Sequence, residues 1–360
     1  MKVGVLPRFI FVAALALPVA ALAWDYPGHR IVNQLALASL PADFPRWVQT
    51  PANAERIAFL AGEPDRWRNS RSELLQHYNG LDHYFDLEEL ADAGIDVETL
   101  TPFRYVFAAQ FAAGRAANPA RFPPLDSAKD PDHSREWPGF LPWAIAEYYA
   151  KLQSAFSYLK TFERYGTPDE VANARANVIY LMGVGGHYVG DGAQPLHTTI
   201  HFNGWVGPNP MGYTTRRTIH AWIDGGFIAR AGITEEEIAS QVAPARPLDL
   251  TPRADGRDPV FVAVVDYLRA GQTEVEPLYQ LEKAGGFETE RRTANPEDRS
   301  ASPEGRTDNP EGWTGSPEGR AFIDAQLLKG GEMLGALWLT AWRQAAPDIY
   351  LRKQLIERPR

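Results

Sequence analysis

The 360-residue chain has no cysteine. That excludes disulfide staples, thiolate metal sites, thiol nucleophiles and thiol redox switches together. Any metal must then be bound by imidazole, carboxylate or main-chain donors, a set suited to Zn, Mn or Mg rather than to Cu(I) or iron–sulfur clusters. Base is also short: 36 Lys and Arg stand against 45 Asp and Glu, a formal charge of −9. This argues against a broad basic surface for nucleic acid or anionic lipid. Beyond the N-terminus no run of about 18 apolar residues occurs, so a multi-span membrane protein is excluded. What is present, 44% hydrophobic and 11% aromatic residues, is the composition of a globular chain with a sizeable core.

The one long apolar run is the first. Lys2 and Arg8 supply a positive start, residues 9–20 are apolar, and Ala21-Leu22-Ala23 closes them as a small-x-small cleavage signal. The run is too short and wrongly flanked for a membrane span, and an uncleaved anchor is the lesser alternative. Residues 1–23 are therefore expected to be a signal peptide, with the mature protein secreted or periplasmic and without stable membrane insertion. Cleavage would leave Trp24 at the new terminus, and loss of Lys2 and Arg8 would move the formal charge from −9 to −11.

The rest of the chain reads as helix. Ile145, Tyr149, Leu152, Phe156 and Leu159 recur at spacings of 4, 3, 4 and 3 from Pro142 onward, which lays one apolar stripe against a core. Thr167-Pro168-Asp169-Glu170 has the form of a capping box, so a helix should begin at Pro168. Helical patterns also cover residues 30–40, 54–67, 103–116, 215–231, 259–284 and 321–342, while short strand pairings are conceivable only near 198–205. The expectation is an all-α chain with one domain over residues 24–360. Between about 285 and 320 the sequence turns polar, and Pro296, Pro303, Pro310 and Pro317 recur every 7 residues. Proline at that spacing rules out a coiled coil and reads as an exposed, flexible insertion.

The histidines carry the chemistry. His187 and Asp191 stand four apart on one face of the helix opened at Pro168, and Pro195 should end that helix and swing His197 back. His220 and Asp224 form a second pair at the same spacing, so each pair offers a nitrogen and an oxygen ligand side by side. Asp65, His83 and His29 lie upstream. A lone histidine is more often a hydrogen-bonded core or surface residue, and a lone pair at this spacing is often a surface ion pair. Two such pairs with four further candidates, in a Cys-free helical chain, reverse that weighting. His77 rivals His83 as a ligand, His201 rivals His197, and His133 is left over.

The order Trp24 … His29 … Asp65 … His83 … His187-x3-Asp191-x5-His197 … His220-x3-Asp224 resembles the zinc-dependent nuclease S(1)/P(1) and bacterial phospholipase C superfamily. The match runs from residue 24 to about 230, and its most specific piece is His-Tyr-Val-Gly-Asp … Gln-Pro-Leu-His. The resemblance implies a mainly helical fold holding three Zn²⁺ at the bottom of a cleft. The first would be held by Asp65, His83, His187 and Asp191, and the second by His197, His220 and Asp224. The third would take the amino nitrogen and carbonyl oxygen of Trp24, His29 and a bridging Asp191, which requires a free amino group on Trp24. Asp65 would also orient the attacking water, and Arg68 is placed like the family's cationic partner of the transition state, a surface guanidinium being its alternative. Tyr84 stands where the nucleases carry a base-stacking ring, with a core aromatic as the alternative reading.

The nuclease branch is favoured by Asp at 224, by the 5 residues from Trp24 to His29 and by the 23 from His197 to His220. Ala193 and Gly225 depart from it, standing where nucleases carry His and Asn, and the Gly-Gly-Asn loop is absent from residues 202–217. The activity implied is hydrolysis of single-stranded DNA and RNA and of 3′-nucleotides, giving 5′-phosphate products, by a monomer. A zinc-dependent phospholipase C and a non-catalytic zinc-binding protein are the two alternatives.

Overall fold

The computed structural model describes residues 24–288 and 316–358. The expected signal peptide and residues 289–315 of the recurrent-proline segment lie outside the described residues. All regular structure among the described residues is helical. Helices α1 (Tyr26–Ser39), α2 (Pro51–Leu60), α3 (Glu63–Arg68), α4 (Glu73–Gly80), α5 (Glu88–Asp92) and α6 (Arg104–Ala117) lead into two long ones, α7 (Leu141–Tyr165) and α8 (Pro168–Ala193). There follow α9 (Ile219–Ala221), α10 (Phe227–Ala231), α11 (Glu235–Ile238), α12 (Pro259–Gln272) and α13 (Val275–Lys283), then the long α14 (Pro317–Gln344) and α15 (Ile349–Glu357). The chain is all-α, as its periodicity implies, and its buried residues form one continuous core.

Helix α8 is the axis of that core. Its start is the reciprocal box expected: the Glu170 amide donates to the Thr167 hydroxyl at 3.3 Å, and the Thr167 amide donates to the Glu170 carboxylate at 2.7 Å. Pro168 sits in the first turn, where its missing N–H leaves no bond unmade. Every residue from Met182 to Ala193 is buried, because α1, α2, α7 and α14 all pack on this half of the helix. Such crowding needs small residues. A Cβ added at Gly183 would lie 2.5 Å from Leu60 Cβ and 2.9 Å from the Ile57 carbonyl oxygen of α2. Asn33 of α1 locks the same junction, donating to the carbonyls of Ile57 at 3.0 Å and Gly183 at 3.1 Å.

Proline accounts for most differences from the sequence reading. The stretch 54–67 is two helices because Pro64 would clash with the Leu60 carbonyl of a continuous helix; Pro277 divides 259–284 in the same way. The stretch 215–231 turns helical only at Ile219 and contains a π-turn, Trp222–Gly226. Near 198–205 there is a turn closed by Trp205 N–H to the Thr214 carbonyl at 2.8 Å rather than a strand pairing. The ends of the expected insertion are held: Phe287 is buried, Ser316 donates to the Gly286 carbonyl at 2.6 Å, and residues 317–320 already belong to α14. Helices α4 and α15 bury no residue and escaped the periodicity reading. No helix among the described residues is long and apolar enough to cross a membrane.

Replacing Gly183 by Ala should test the α2–α8 contact. Overpacking costs about 1–3 kcal/mol, more than the ~1 kcal/mol that Ala gains over Gly inside a helix. The expected outcome is a lower urea midpoint, and an unchanged or raised midpoint would contradict the packing described.

Candidate metal centre

Six separate pieces of backbone deliver the cluster. Helix α1 brings His29, α3 brings Asp65 and Arg68, and the short turn Leu81–His83 brings His83. The last turns of α8 supply His187 and Asp191, and the turn Pro195–Thr198 that follows supplies His197. His220 lies on α9 and Asp224 on the π-turn, a device found often at functional sites. His29, His83, His187, Asp191, His197, His220 and Asp224 are all buried, where ionisable groups stay only if paired or ligated. Gly190 makes room for α1: a Cβ there would lie 2.8 Å from His29 Nδ1.

The ligand atoms form three groups, within each of which they lie within 4.8 Å of one another: Asp65, His83 and His187; His29, His187 and Asp191; and His197, His220 and Asp224, the first two sharing His187. Around the first, His83 Nδ1 is 2.9 Å from His187 Nε2 and 3.0 Å from Asp191 Oδ2, and His187 Nε2 is 3.3 Å from Asp191 Oδ2. Asp65 Oδ1 stands 3.9 Å from both imidazoles. Ligands at about 2.0–2.1 Å on a tetrahedral ion are about 3.3–3.4 Å apart, so these spacings bracket that geometry. Asp191 turns its other oxygen, Oδ1, to His29 Nε2 at 3.5 Å, and the His29 and His187 rings stack at 3.7 Å. In the remaining group His220 Nε2 is 3.0 Å from His197 Nε2 and 2.9 Å from Asp224 Oδ2.

The protons are arranged for ligation. His187 Nδ1 donates to the Ala61 carbonyl at 2.6 Å, and His197 Nδ1 to the His83 carbonyl. Each bond fixes the tautomer and leaves Nε2 as a lone pair facing inward. Two imidazole nitrogens meeting at 3.0 Å make sense with a proton or a cation between them. Other buried atoms of the cluster have no hydrogen-bond partner, among them both nitrogens of His29, His83 Nε2, Asp191 Oδ1 and Asp224 Oδ2. Buried groups without partners call for a ligand, and the chemistry of this donor set fits a divalent cation.

Electrostatics separate the groups. Burial and the Arg68 charge push His83 down to about 4 and His220 to about 3, so both rings are neutral at physiological pH. Burial also lowers His29 and His197. Burial works against His187 too, but the Asp191 and Asp65 carboxylates outweigh it and raise the ring. Burial disfavours ionised Asp65 and Asp191, yet Arg68 and the imidazoles hold Asp65 below its ordinary value, and the imidazoles hold Asp191 well below. Asp224 is the opposite case: burial drives it well above the usual carboxylate range.

The eight expected side-chain ligands come together, and the rivals do not. His77 Nδ1 donates to the Asp132 carbonyl, 2.7 Å away, and His201 stacks on Trp205 at 4.0 Å and accepts from the Val206 amide at 3.0 Å. His133 falls in a separate group with Asp130 and Glu136 on an exposed loop, where Asp130 caps the Ser134 and Arg135 amides. The Trp24 side chain is buried against Gly28. Arg68 is nearly buried and lies 2.9 Å from Asp65, so it is a cluster residue rather than a surface guanidinium. Tyr84 is half-buried against the core, its hydroxyl near Asp86, Glu89, Asp130 and Asp132, an arrangement that matches its reading as a core aromatic.

Sequence reasoning gave Gln194 no role. It is fully buried, donates to Asp224 Oδ1 and accepts from the Leu196 amide at 3.1 Å, fixing the carboxylate's rotation. Its signal was its place before Pro195, where a helix-ending polar residue has no intrahelical partner. Asp25 was also passed over. Its amide donates to the Asp224 carbonyl at 3.2 Å and its carboxylate fills the space a Cβ on Gly225 would need.

Comparison with family models, curated proteins and solved structures finds no match for this chain. Its site therefore rests on geometry. Burial raises Asp224, and the Asp191 and Asp65 carboxylates raise His187, so a cation must compete with protons for both. Zn²⁺ added to metal-free protein should release protons, bind more tightly as pH rises and increase the melting temperature. Calorimetry in two buffers of different ionisation enthalpy measures the release. Binding with no proton release, or none at all, contradicts the donor assignment.

Proposed function

We propose that the chain is an exported, zinc-dependent phosphodiesterase: a single-strand-preferring nuclease acting on DNA and RNA, with 3′-nucleotidase activity and 5′-phosphate products. The observation that carries this reading is the sharing of His187 by two donor groups, which the two oxygens of Asp191 bridge, with the third group and an arginine beside them. A storage or purely structural site needs neither a shared carboxylate nor a cation at its edge. Three Zn²⁺ are the proposed complement. Asp65, His83, His187 and Asp191 would hold the first, and His197, His220 and Asp224 the second. The amino nitrogen and carbonyl oxygen of Trp24, with His29 and Asp191, would hold the third.

Ions so held supply hydroxide at neutral pH and positive charge to offset that developing on the phosphate and the departing oxygen. The protein's part is positioning. Asp65, the least buried carboxylate of the cluster, accepts a hydrogen bond from the attacking water and aims it. Arg68, fixed against Asp65 at 2.9 Å, offers guanidinium N–H groups to a phosphate oxygen, where a planar fork gives both charge and orientation. Gln194 keeps Asp224 from rotating. Elsewhere the acidic surface lacks the many phosphate contacts that hold a duplex, which favours flexible single strands over tight, salt-insensitive duplex binding.

The deciding assay combines metal content of the mature protein with turnover on denatured DNA, RNA, 3′-AMP and phosphatidylcholine. Hydrolysis of the first three is expected. Turnover confined to phosphatidylcholine would make it a phospholipase C, and bound metal without turnover a zinc carrier. His220→Ala should lose one ion and slow turnover by orders of magnitude. One extra residue before Trp24 should remove a different ion, because a peptide nitrogen is a far poorer donor than an amine. An unprocessed protein with three ions and full activity would overturn that assignment.

A further inference from the structure

One groove on the surface combines what the rest of this acidic chain has little of. It lies between α2 and α8, encloses about 600 Å³, and is bordered by Trp47, Asn53, Arg56, Leu60, Arg175 and Tyr180. Arg175 lies over the Trp47 ring at 5.3 Å, and Arg56 over the Phe59 ring at 5.4 Å. Arg175 also pairs with Glu163 at 2.9 Å, while its Nε is buried without a hydrogen-bond partner. Phe59 is 46% and Tyr180 42% exposed; Tyr26, 41% exposed, meets Phe59 edge-on at 6.4 Å. Clustered aromatic rings left in water mark an interaction surface.

The groove borders the elements that carry the cluster. Leu60 at its edge precedes Ala61, whose carbonyl holds His187. The Tyr26 ring covers Gly62, and α3 follows at once with Asp65 and Arg68, the cluster residues that reach solvent. Along α8, Tyr180 and Arg175 stand 7 and 12 residues before His187, roughly 10 and 18 Å at 1.5 Å per residue. Aromatic faces and arginines thus alternate over a path several nucleotides long.

We infer that this face is a strand track for single-stranded nucleic acid, on which unpaired bases stack against Tyr26, Phe59 and Tyr180 while Arg56 and Arg175 meet the phosphates. Stacking needs bases freed from pairing, and base–aromatic contact is tolerant of sequence. A duplex hides those faces, and a mononucleotide or a phospholipid headgroup is too short to leave the cluster. The direction of the track rests on the phosphodiesterase reading; its affinity for a strand does not.

The test uses the full mature chain in chelator, with fluorescein-labelled dT20, rU20 and dT2 read by anisotropy. Tyr180→Ala and Arg56→Glu are exposed changes outside the cluster. Each is expected to weaken dT20 and rU20 about tenfold and leave dT2 unchanged, while Tyr180→Phe retains wild-type binding. Arg56→Ala should reduce the slope of log affinity against log salt by about 0.7, one single-strand phosphate contact. In zinc-loaded enzyme the same variants should raise KM for dT20 and not for 3′-AMP. Equal dT20 affinity in wild type and variants overturns the track even if DNA is hydrolysed. Strand binding that is lost in the variants upholds it even if no phosphodiester is cleaved, and then only the catalytic reading fails.

Discussion

A carboxylate at zero exposure governs this structure. Asp191 lies within 3.0–3.7 Å of four imidazoles, with Oδ2 toward His83 and His187 and Oδ1 toward His29 and His197. A bare negative charge so placed costs several kcal/mol unless matched by positive charge, and neutral rings alone do not match it. The imidazoles draw its proton affinity down, and in return it raises His187. The whole constellation is thus built around a buried charge that positive charge would stabilise, and a cation bound there would contribute its binding free energy to folding.

The geometry imposed by that carboxylate spreads outward. For both oxygens to be reached, α1 must approach α8 closely enough for His29 to stack on His187, and Gly190 is what permits it. The Ala61 carbonyl must face His187 rather than continue α2, so the chain breaks there and α3 starts at Glu63 with Pro64 in its first turn. That break carries Asp65 and Arg68 to the cluster edge. The loop after α8 must return, and the His83 carbonyl that orients His197 ties two distant segments at that point. Helices that look like ordinary packing are in this sense holders for one side chain.

The legible part of this architecture follows from periodicity and from residues with one dominant physical habit. Thr167, Pro168 and Glu170 declare a helix start, and His187 with Asp191 declare a shared face. Pro195 declares the turn that returns His197, all three matching the structure. What escaped reading depends on partners remote in sequence. Nothing local says that the Ala61 carbonyl is claimed by a ring 126 residues away, that the helix of His220 relaxes into a π-turn, or that Gln194 holds Asp224 in place. The surface aromatics Phe59 and Tyr180 are invisible for a different reason: they belong to separate stripes, and only the α2–α8 packing sets them on one face.

Two of the three departures from the nuclease pattern, Ala193 and Gly225, have physical causes in the packing. Ala193 is buried with its Cβ facing α14, and a Cβ on Gly330 would stand only 3.2 Å from it, so an imidazole at 193 has no room. Gly225 is small because the Asp25 carboxylate occupies its side-chain space, so a carboxylate stands beside the position where nucleases carry an amide. That exchange is not neutral. Asp25 is itself raised by burial and by Asp65, and it adds to the repulsion that raises Asp224. With both carboxylates raised, their ionised forms beside His197 and His220 would be favoured by a cation in the group. An acidic neighbour, Asp25, thus stands beside the group of His197, His220 and Asp224 at the position where the resemblance leads one to expect a neutral amide.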